Sequence, residues 1–197
     1  MKIIGITGKS GVGKTTTANY LKEMLKNSKT IFIDDIHINY LLTTWKDNLI
    51  ELFGEDVIVD GKLNTSYFVS YPHKFKIVFE ESLKYLETTI LEEIDSYSKD
   101  YDWIIIDFFK LISLKNVWER CNYHILIEAL DDDKRYLNIT LRYKKKEKKI
   151  KRTKEEEHRL RDYNAEKYHD YKYDFIIIND YDDGLKNKVN DIVKDLM

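Results

Sequence analysis

The stretch Lys2-Ile3-Ile4-Gly5-Ile6-Thr7-Gly8-Lys9-Ser10-Gly11-Val12-Gly13-Lys14-Thr15 decides the fold of this 197-residue chain. Ile3, Ile4 and Ile6 make a short apolar strand. Gly8 to Thr15 fits G-x-x-x-x-G-K-[ST] at every fixed position, and a helix opens at its end with Thr17, Ala18, Leu21 and Leu25 on one face. Four of the seven glycines fall within the first thirteen residues, so this turn demands bare backbone. Such a turn lets consecutive N–H groups converge on an anion, and the following helix adds its positive end. Gly8, Ser10, Gly11, Val12, Gly13, Lys14, Thr15 and Thr16 are therefore the candidate triphosphate-binding residues. Lys14 offers a mobile cation to the β- and γ-phosphates, and the Thr15 hydroxyl offers a ligand to Mg²⁺.

Outward from the loop, the other apolar runs share one design. Ile31-Phe32-Ile33 stops at Asp34-Asp35, Trp103 to Ile106 at Asp107, His124 to Ile127 at Glu128, and Phe175 to Ile178 at Asn179. Phe79, Leu83, Leu86, Ile90 and Ile94 keep helical spacing between them, and Leu185, Val189, Ile192, Val193 and Leu196 form a closing helix. Continuous rather than alternating apolar strands predict a parallel sheet covered on both faces. The class is α/β, a doubly wound sheet of about five strands, with the second strand expected beside the phosphate loop. Ligands of such sheets bind beyond the strands' carboxyl ends, where Asp34, Asp35, Asp107, Glu128 and Asn179 stand. Each acid can equally cap the next segment.

Composition narrows the class. With 43% hydrophobic and 35% charged residues the chain reads as a single globular domain. The lone Cys121 points to a reducing, cytoplasmic setting. No apolar run approaches the ~20 residues of a membrane span, and no secretory leader precedes Ile3. A net charge of −2 argues against a bulk nucleic-acid binder; the expected partner is a small-molecule acceptor, and the expected state a monomer or small homo-oligomer.

Neither an N-K-x-D nor a D-x-x-G element is present, which excludes a regulatory GTPase, and Gly54, Gly61 and Gly184 cannot form an ABC-type signature. A small-molecule kinase needs a base, an acceptor-binding insertion and a cationic lid. Asp34 or Asp35 can take the acceptor's proton, and Asp107 can hold Mg²⁺ through water or orient the acceptor. From Arg142 to Lys154, nine of thirteen residues are Lys or Arg. A solvated helix has this composition too, but phosphoryl transfer calls for extra cations, so Arg142 and Arg152 are the expected phosphate clamps of a lid. Tyr67-Phe68-Val69-Ser70-Tyr71 can stack on an acceptor or pack within a helical insertion.

Leu52-Phe53-Gly54-Glu55-Asp56-Val57-Ile58-Val59-Asp60-Gly61-Lys62-Leu63-Asn64 resembles a characteristic segment of the dephospho-coenzyme A kinases. Gly8 to Thr15, Ile33-Asp34-Asp35, Ile106-Asp107, Arg142 to Arg161 and Ile178-Asn179 are similar to that family's other landmarks. The resemblance implies a P-loop kinase fold with a helical acceptor-binding insertion at about 37–98 and a lid at about 135–170. It implies ATP-dependent phosphorylation of the ribose 3′-hydroxyl of dephospho-coenzyme A with Mg²⁺ as cofactor. By it the catalytic aspartate is Asp35, Asp34 and Asp107 face the acceptor, and Asn179 lies near the adenine. The chain departs from that pattern at several places: Asp34 and Asp35 are adjacent rather than separated by one residue, and Thr65 replaces an arginine. Pro72 is the only proline, and Phe108-Phe109-Lys110-Leu111 replaces a proline-leucine-leucine segment. These departures affect the acceptor side more than the triphosphate side. Asp35 with His37 also resembles uridine-kinase-like strand ends, which keeps a nucleoside or nucleoside-monophosphate kinase open. A non-catalytic nucleotide switch is the alternative outside enzymes.

Overall fold

The computed structural model describes residues 1–145 and 152–197. Strand β1 (Lys2–Thr7) runs into the glycine loop and helix α1 (Lys14–Met24), followed by β2 (Ser28–Phe32). The chain then leaves the sheet through α2 (Ile33–Thr43), α3 (Lys46–Phe53), the hairpin β3 (Ile58–Val59) and β4 (Lys62–Leu63), α4 (Ser66–Ser70) and α5 (Pro72–Tyr97). It returns through β5 (Trp103–Asp107), α6 (Lys115–Arg120), β6 (Tyr123–Ala129), α7 (Asp132–Lys145), α8 (Lys154–Asp162), β7 (Phe175–Asn179) and α9 (Leu185–Leu196).

Five strands form one parallel sheet in the order β2-β5-β1-β6-β7. The apolar runs of the central strands β5, β1 and β6 are buried on both faces, as the continuous pattern requires, whereas edge strand β7 leaves Ile176 and Ile178 exposed. Ile4, Ile6, Ile105, Ile125 and Ile127 pack against Ala18 and Leu21 of α1 and Val189 and Val193 of α9. Ile3, Ile104 and Ile106 face the other way, onto Phe79, Leu86, Ile90 and Ile94 of α5 and Val117 of α6. Each such side chain contributes roughly 1.5–3 kcal/mol on burial, which makes these two layers the main source of stability. Helix α5, at 26 residues, is about 39 Å long. Pro72 opens it, where a missing N–H costs nothing. Val57, Leu63, Leu41, Leu49 and Val78 make a separate small core for the segment between β2 and β5.

One expectation is corrected. Strand β2 does not lie beside β1; β5 separates them. The register pairs Ile6 and Phe32 both with Asp107, so Asp107 sits between the glycine loop and the end of β2. Ile33 likewise begins α2 rather than ending β2, which puts Asp34 and Asp35 in the first turn of a helix, where its dipole favours negative charge.

Candidate active site

The loop between β1 and α1 is shaped by backbone that only glycine adopts comfortably. Gly8 has φ +139° and Gly13 φ +106°. A Cβ at Gly8 would lie 2.2 Å from the Ile127 carbonyl oxygen, and one at Gly13 2.7 Å from Asn179 Nδ2. Strand β6 and the end of β7 thus press on the loop from outside. The Val12 side chain is buried in the core beneath, leaving only its backbone to face a ligand. Asn179 Nδ2 donates to Val12 O at 2.8 Å, and Tyr181 N donates to Asn179 Oδ1 at 2.9 Å. Asn138 Nδ2 and the Tyr181 hydroxyl both donate to Gly11 O, at 2.9 and 3.1 Å. Lys14 Nζ reaches back across the turn to Lys9 O at 3.0 Å. A rigid ring of backbone with a lysine across it results.

Around Lys14 the strand ends converge. The Thr15 hydroxyl donates to Asp107 Oδ2 at 2.7 Å. Asp107 is 7% exposed, and its desolvation raises the carboxyl pKa against the opposing pull of Lys14 and the Thr15 hydrogen bond. Asp34, in the first turn of α2, is exposed to solvent. Partial loss of water at its carboxyl still pushes its pKa up to about 6; Lys14 opposes this, while Asp107 and Asp35 reinforce it. The Lys14 ammonium is lowered by the same desolvation, with Asp107 and Asp34 restoring part of the charge preference. Arg142 on α7 lies within electrostatic reach of Lys14, Asp34 and Asp107 alike. Two cations, Lys14 and Arg142, and three carboxylates, Asp34, Asp35 and Asp107, therefore cluster at the carboxyl ends of β1, β2 and β5.

The AAA domain family matches residues 4–166, which include this loop and this cluster. The chain belongs to the AAA domain family. Solved structures share its whole architecture. A Thermus thermophilus protein superposes with a TM-score of 0.70 at 18% identity, over 100% of this chain and 97% of that one. The dephospho-CoA kinase of Campylobacter jejuni gives 0.58 at 15% identity, over 99% and 97%. The shikimate kinase of Acinetobacter baumannii, in complex with shikimate, gives 0.54 at 14% identity, over 100% and 93%. The fold is that of the P-loop kinases.

In this AAA-domain chain the basic region behaves differently from a uniform cationic lid. Arg142 reaches the cluster, whereas Arg152 does not: its Nη1 donates to Glu157 Oε2 at 2.7 Å and its Nη2 to Ser70 Oγ at 2.5 Å. The arginine that touches the loop is Arg161, whose Nη1 donates to Ser10 Oγ at 3.2 Å. Residues 146–151 of the basic run lie outside the described residues. Asn179 braces the loop from below through its amide. Thr16 is exposed on the first turn of α1.

Several contributors escape any reading of the sequence. Lys9 pairs with Asp162 at 2.9 Å. Arg135, with no exposed surface, donates through Nη1 and Nη2 to the two Asp162 oxygens at 2.9 Å each and reaches Asp132 at 3.0 Å. Helix α8 is thereby tied to the loop, and Asn164 just beyond it donates to Pro72 O at 2.7 Å. The one available signal was arginine usage: of six arginines in the chain, Arg135, Arg142, Arg152, Arg159 and Arg161 fall between positions 135 and 161. No spacing rule joins Arg161 to a serine 151 positions away.

The donor set suits Mg²⁺ in the manner of phosphate-assisted sites. Among the described residues no group of three or more His, Cys, Asp or Glu could hold a metal. A hydroxyl beside a buried carboxylate, Thr15 and Asp107, is the partial set that a cation bound mainly by water and phosphate oxygens requires. Among the described residues no helix is long and apolar enough to cross a membrane.

Proposed function

We propose that the chain is an ATP-dependent kinase that moves the γ-phosphoryl group of ATP to an alcohol of a small molecule. One observation carries the reading: Asp34, Asp107 and Arg142 gather around Lys14 at the mouth of the glycine loop, where the Thr15 hydroxyl also meets Asp107 Oδ2 at 2.7 Å. A switch that only holds a nucleotide has no use for an acceptor carboxylate set beside the loop lysine and open to a second substrate. A kinase does.

The loop amides and Lys14 bind the triphosphate, with Arg142 adding charge where phosphate negative charge accumulates. Thr15 and Asp107 are the residues that would hold Mg²⁺, which neutralises phosphate charge when bound. The acceptor oxygen forms its bond to the γ-phosphorus as the β–γ bridging bond breaks, releasing ADP. The acceptor proton passes to a carboxylate in the first turn of α2. We assign that role to Asp34, because desolvation and its two carboxylate neighbours raise its basicity. Asp35, which the resemblance marks as catalytic, then orients the acceptor hydroxyl. Transfer that survives Asp34→Asn but not Asp35→Asn returns the role to Asp35.

For the acceptor we propose dephospho-coenzyme A, phosphorylated on its ribose 3′-hydroxyl. The Leu52 to Asn64 segment supports this, as does the shared fold of the Campylobacter jejuni dephospho-CoA kinase. Within that segment Val57 and Leu63 are core residues, so the resemblance lies in how the acceptor insertion (about 37–98) is built. The test is incubation with MgATP and dephospho-coenzyme A beside nucleosides, nucleoside monophosphates and shikimate, followed by product mass. Phosphorylation confined to dephospho-coenzyme A supports the proposal. Phosphorylation of another alcohol moves the acceptor, and none at all defeats the kinase reading.

A further inference from the structure

Glu157, in the first turn of α8, is a carboxylate with 0% of its surface exposed. Removing an ionised carboxylate from water is strongly unfavourable unless each oxygen gains a charge-assisted bond. Both do here: Arg152 Nη1 donates to Oε2 at 2.7 Å, and Arg161 Nε donates to Oε1 at 2.6 Å. Apolar packing would seat α8 at least as firmly as such a triad. What an apolar residue cannot do is fix the direction of a guanidinium.

Arg161 shows that direction. Glu157 takes its Nε, and the Tyr143 hydroxyl accepts from Nη2 at 2.8 Å with the guanidinium 5.4 Å from the ring centroid. The remaining nitrogen, Nη1, is turned to Ser10 Oγ in the phosphate loop. With one edge pinned, the planar fork loses little further freedom in meeting a phosphate. Arg152 is the counter-charge on the other side, anchored on Ser70 of α4. An unbroken run, Ser70–Arg152–Glu157–Arg161–Ser10, links the segment between β2 and β5 to the loop.

We propose that Glu157 is a positioning residue that aims Arg161 at the triphosphate held by the Gly8–Thr15 loop. This rests on the nucleotide-binding reading above. The test is equilibrium MgATP binding by titration calorimetry to wild type, Glu157→Gln, Arg161→Gln and the double variant. Thermal melting without nucleotide identifies a temperature at which all four are folded. Each single variant is expected to weaken MgATP roughly tenfold, the share of one charge-assisted contact. The double variant is expected to be no weaker than Arg161→Gln alone, because Glu157 acts only through Arg161. Wild-type affinity in Glu157→Gln, or additive losses in the double variant, overturns the proposal. Should Glu157→Gln not fold, Arg161→Lys decides: lysine keeps the charge but cannot hold Glu157 and face the loop at once, so the same roughly tenfold loss is expected. Unaltered binding by that variant overturns the proposal. Wild type that binds no MgATP brings down the kinase reading and this inference together, whereas wild-type binding with an unaffected Glu157→Gln brings down this inference alone.

Discussion

Gly8→Ala offers a sharp test of how the loop is built, with Gly54→Ala as its matched control. Both glycines lie at positive φ, +139° and +88°, and Gly54 (ψ 166°) is in a region that essentially only glycine occupies, so both alanines meet a backbone penalty of roughly 1–3 kcal/mol. Part of that is offset because alanine also narrows the unfolded ensemble, by about 0.4–1 kcal/mol. Beyond this the two sites differ. Nothing lies within 4 Å of a Cβ at Gly54, whereas a Cβ at Gly8 falls 2.2 Å from Ile127 O, a backbone atom of a central strand that no rotamer change can move aside. Forcing the loop and β6 apart costs about 1–3 kcal/mol more, as overpacking does elsewhere. We expect Gly54→Ala to cost about 1–2 kcal/mol and Gly8→Ala about 3 kcal/mol. In a chain of this length the latter lowers Tm by about 6–12 °C. Thermal denaturation with and without MgATP reads both effects, since a ligand that binds only the folded state raises Tm. MgATP should raise the melting point of wild type and Gly54→Ala but leave Gly8→Ala unmoved. Equal melting points for the two alanine variants, or a nucleotide response retained by Gly8→Ala, would refute the close approach of loop to strand.

Lys14→Met should abolish MgATP binding by calorimetry without unfolding the chain. Loss of that cation should also move the Asp34 carboxyl above its value of about 6, visible by carboxyl NMR titration. Asp34→Asn is expected to keep MgATP affinity and lower the transfer rate by about 10²–10⁴, as loss of a proton acceptor does. Asp107→Asn removes the charge beside Thr15 and should raise the Mg²⁺ concentration needed for half-maximal turnover, read from a metal titration at fixed ATP. His37 is 5% exposed between Phe75 and Phe79, with Nε2 3.1 Å from Ser82 Oγ; burial lowers its pKa from 6.5 to about 4. The unfolded chain therefore takes up this proton first, so stability is intact above pH 6.5 and declines as pH falls toward 4. The loss is worth about 3 kcal/mol. Urea denaturation at pH 7 and pH 4 should show it in wild type and not in His37→Leu.

Local pattern alone was enough for the five sheet strands and for α1, α5 and α9, but not for α2, which begins at Ile33 where the apolar run reads as strand. Ile3-Ile4, Ile104 to Ile106 and Ile125 to Ile127 are apolar on consecutive residues, and only a strand covered on both faces can bury them all. The glycine loop was legible for the same local reason: its spacing serves one backbone geometry. Helix α5 announced itself through Phe79, Leu86, Ile90 and Ile94, and Asp107 through its place at a strand's end. Strand order was beyond local reach, because an apolar run carries no mark of its neighbour. Only the sheet set β5 between β1 and β2, and so placed Asp107 against Thr15 and brought Asp34 within reach of Lys14. The division between Arg152 and Arg161 was likewise a tertiary decision. Both stand in a lysine-rich run that reads as uniform charge, and the difference comes from Glu157, whose burial between them leaves one guanidinium free to face Ser10. Patterns along a chain report how much water a residue can lose; which charges meet once the water is gone is settled by packing.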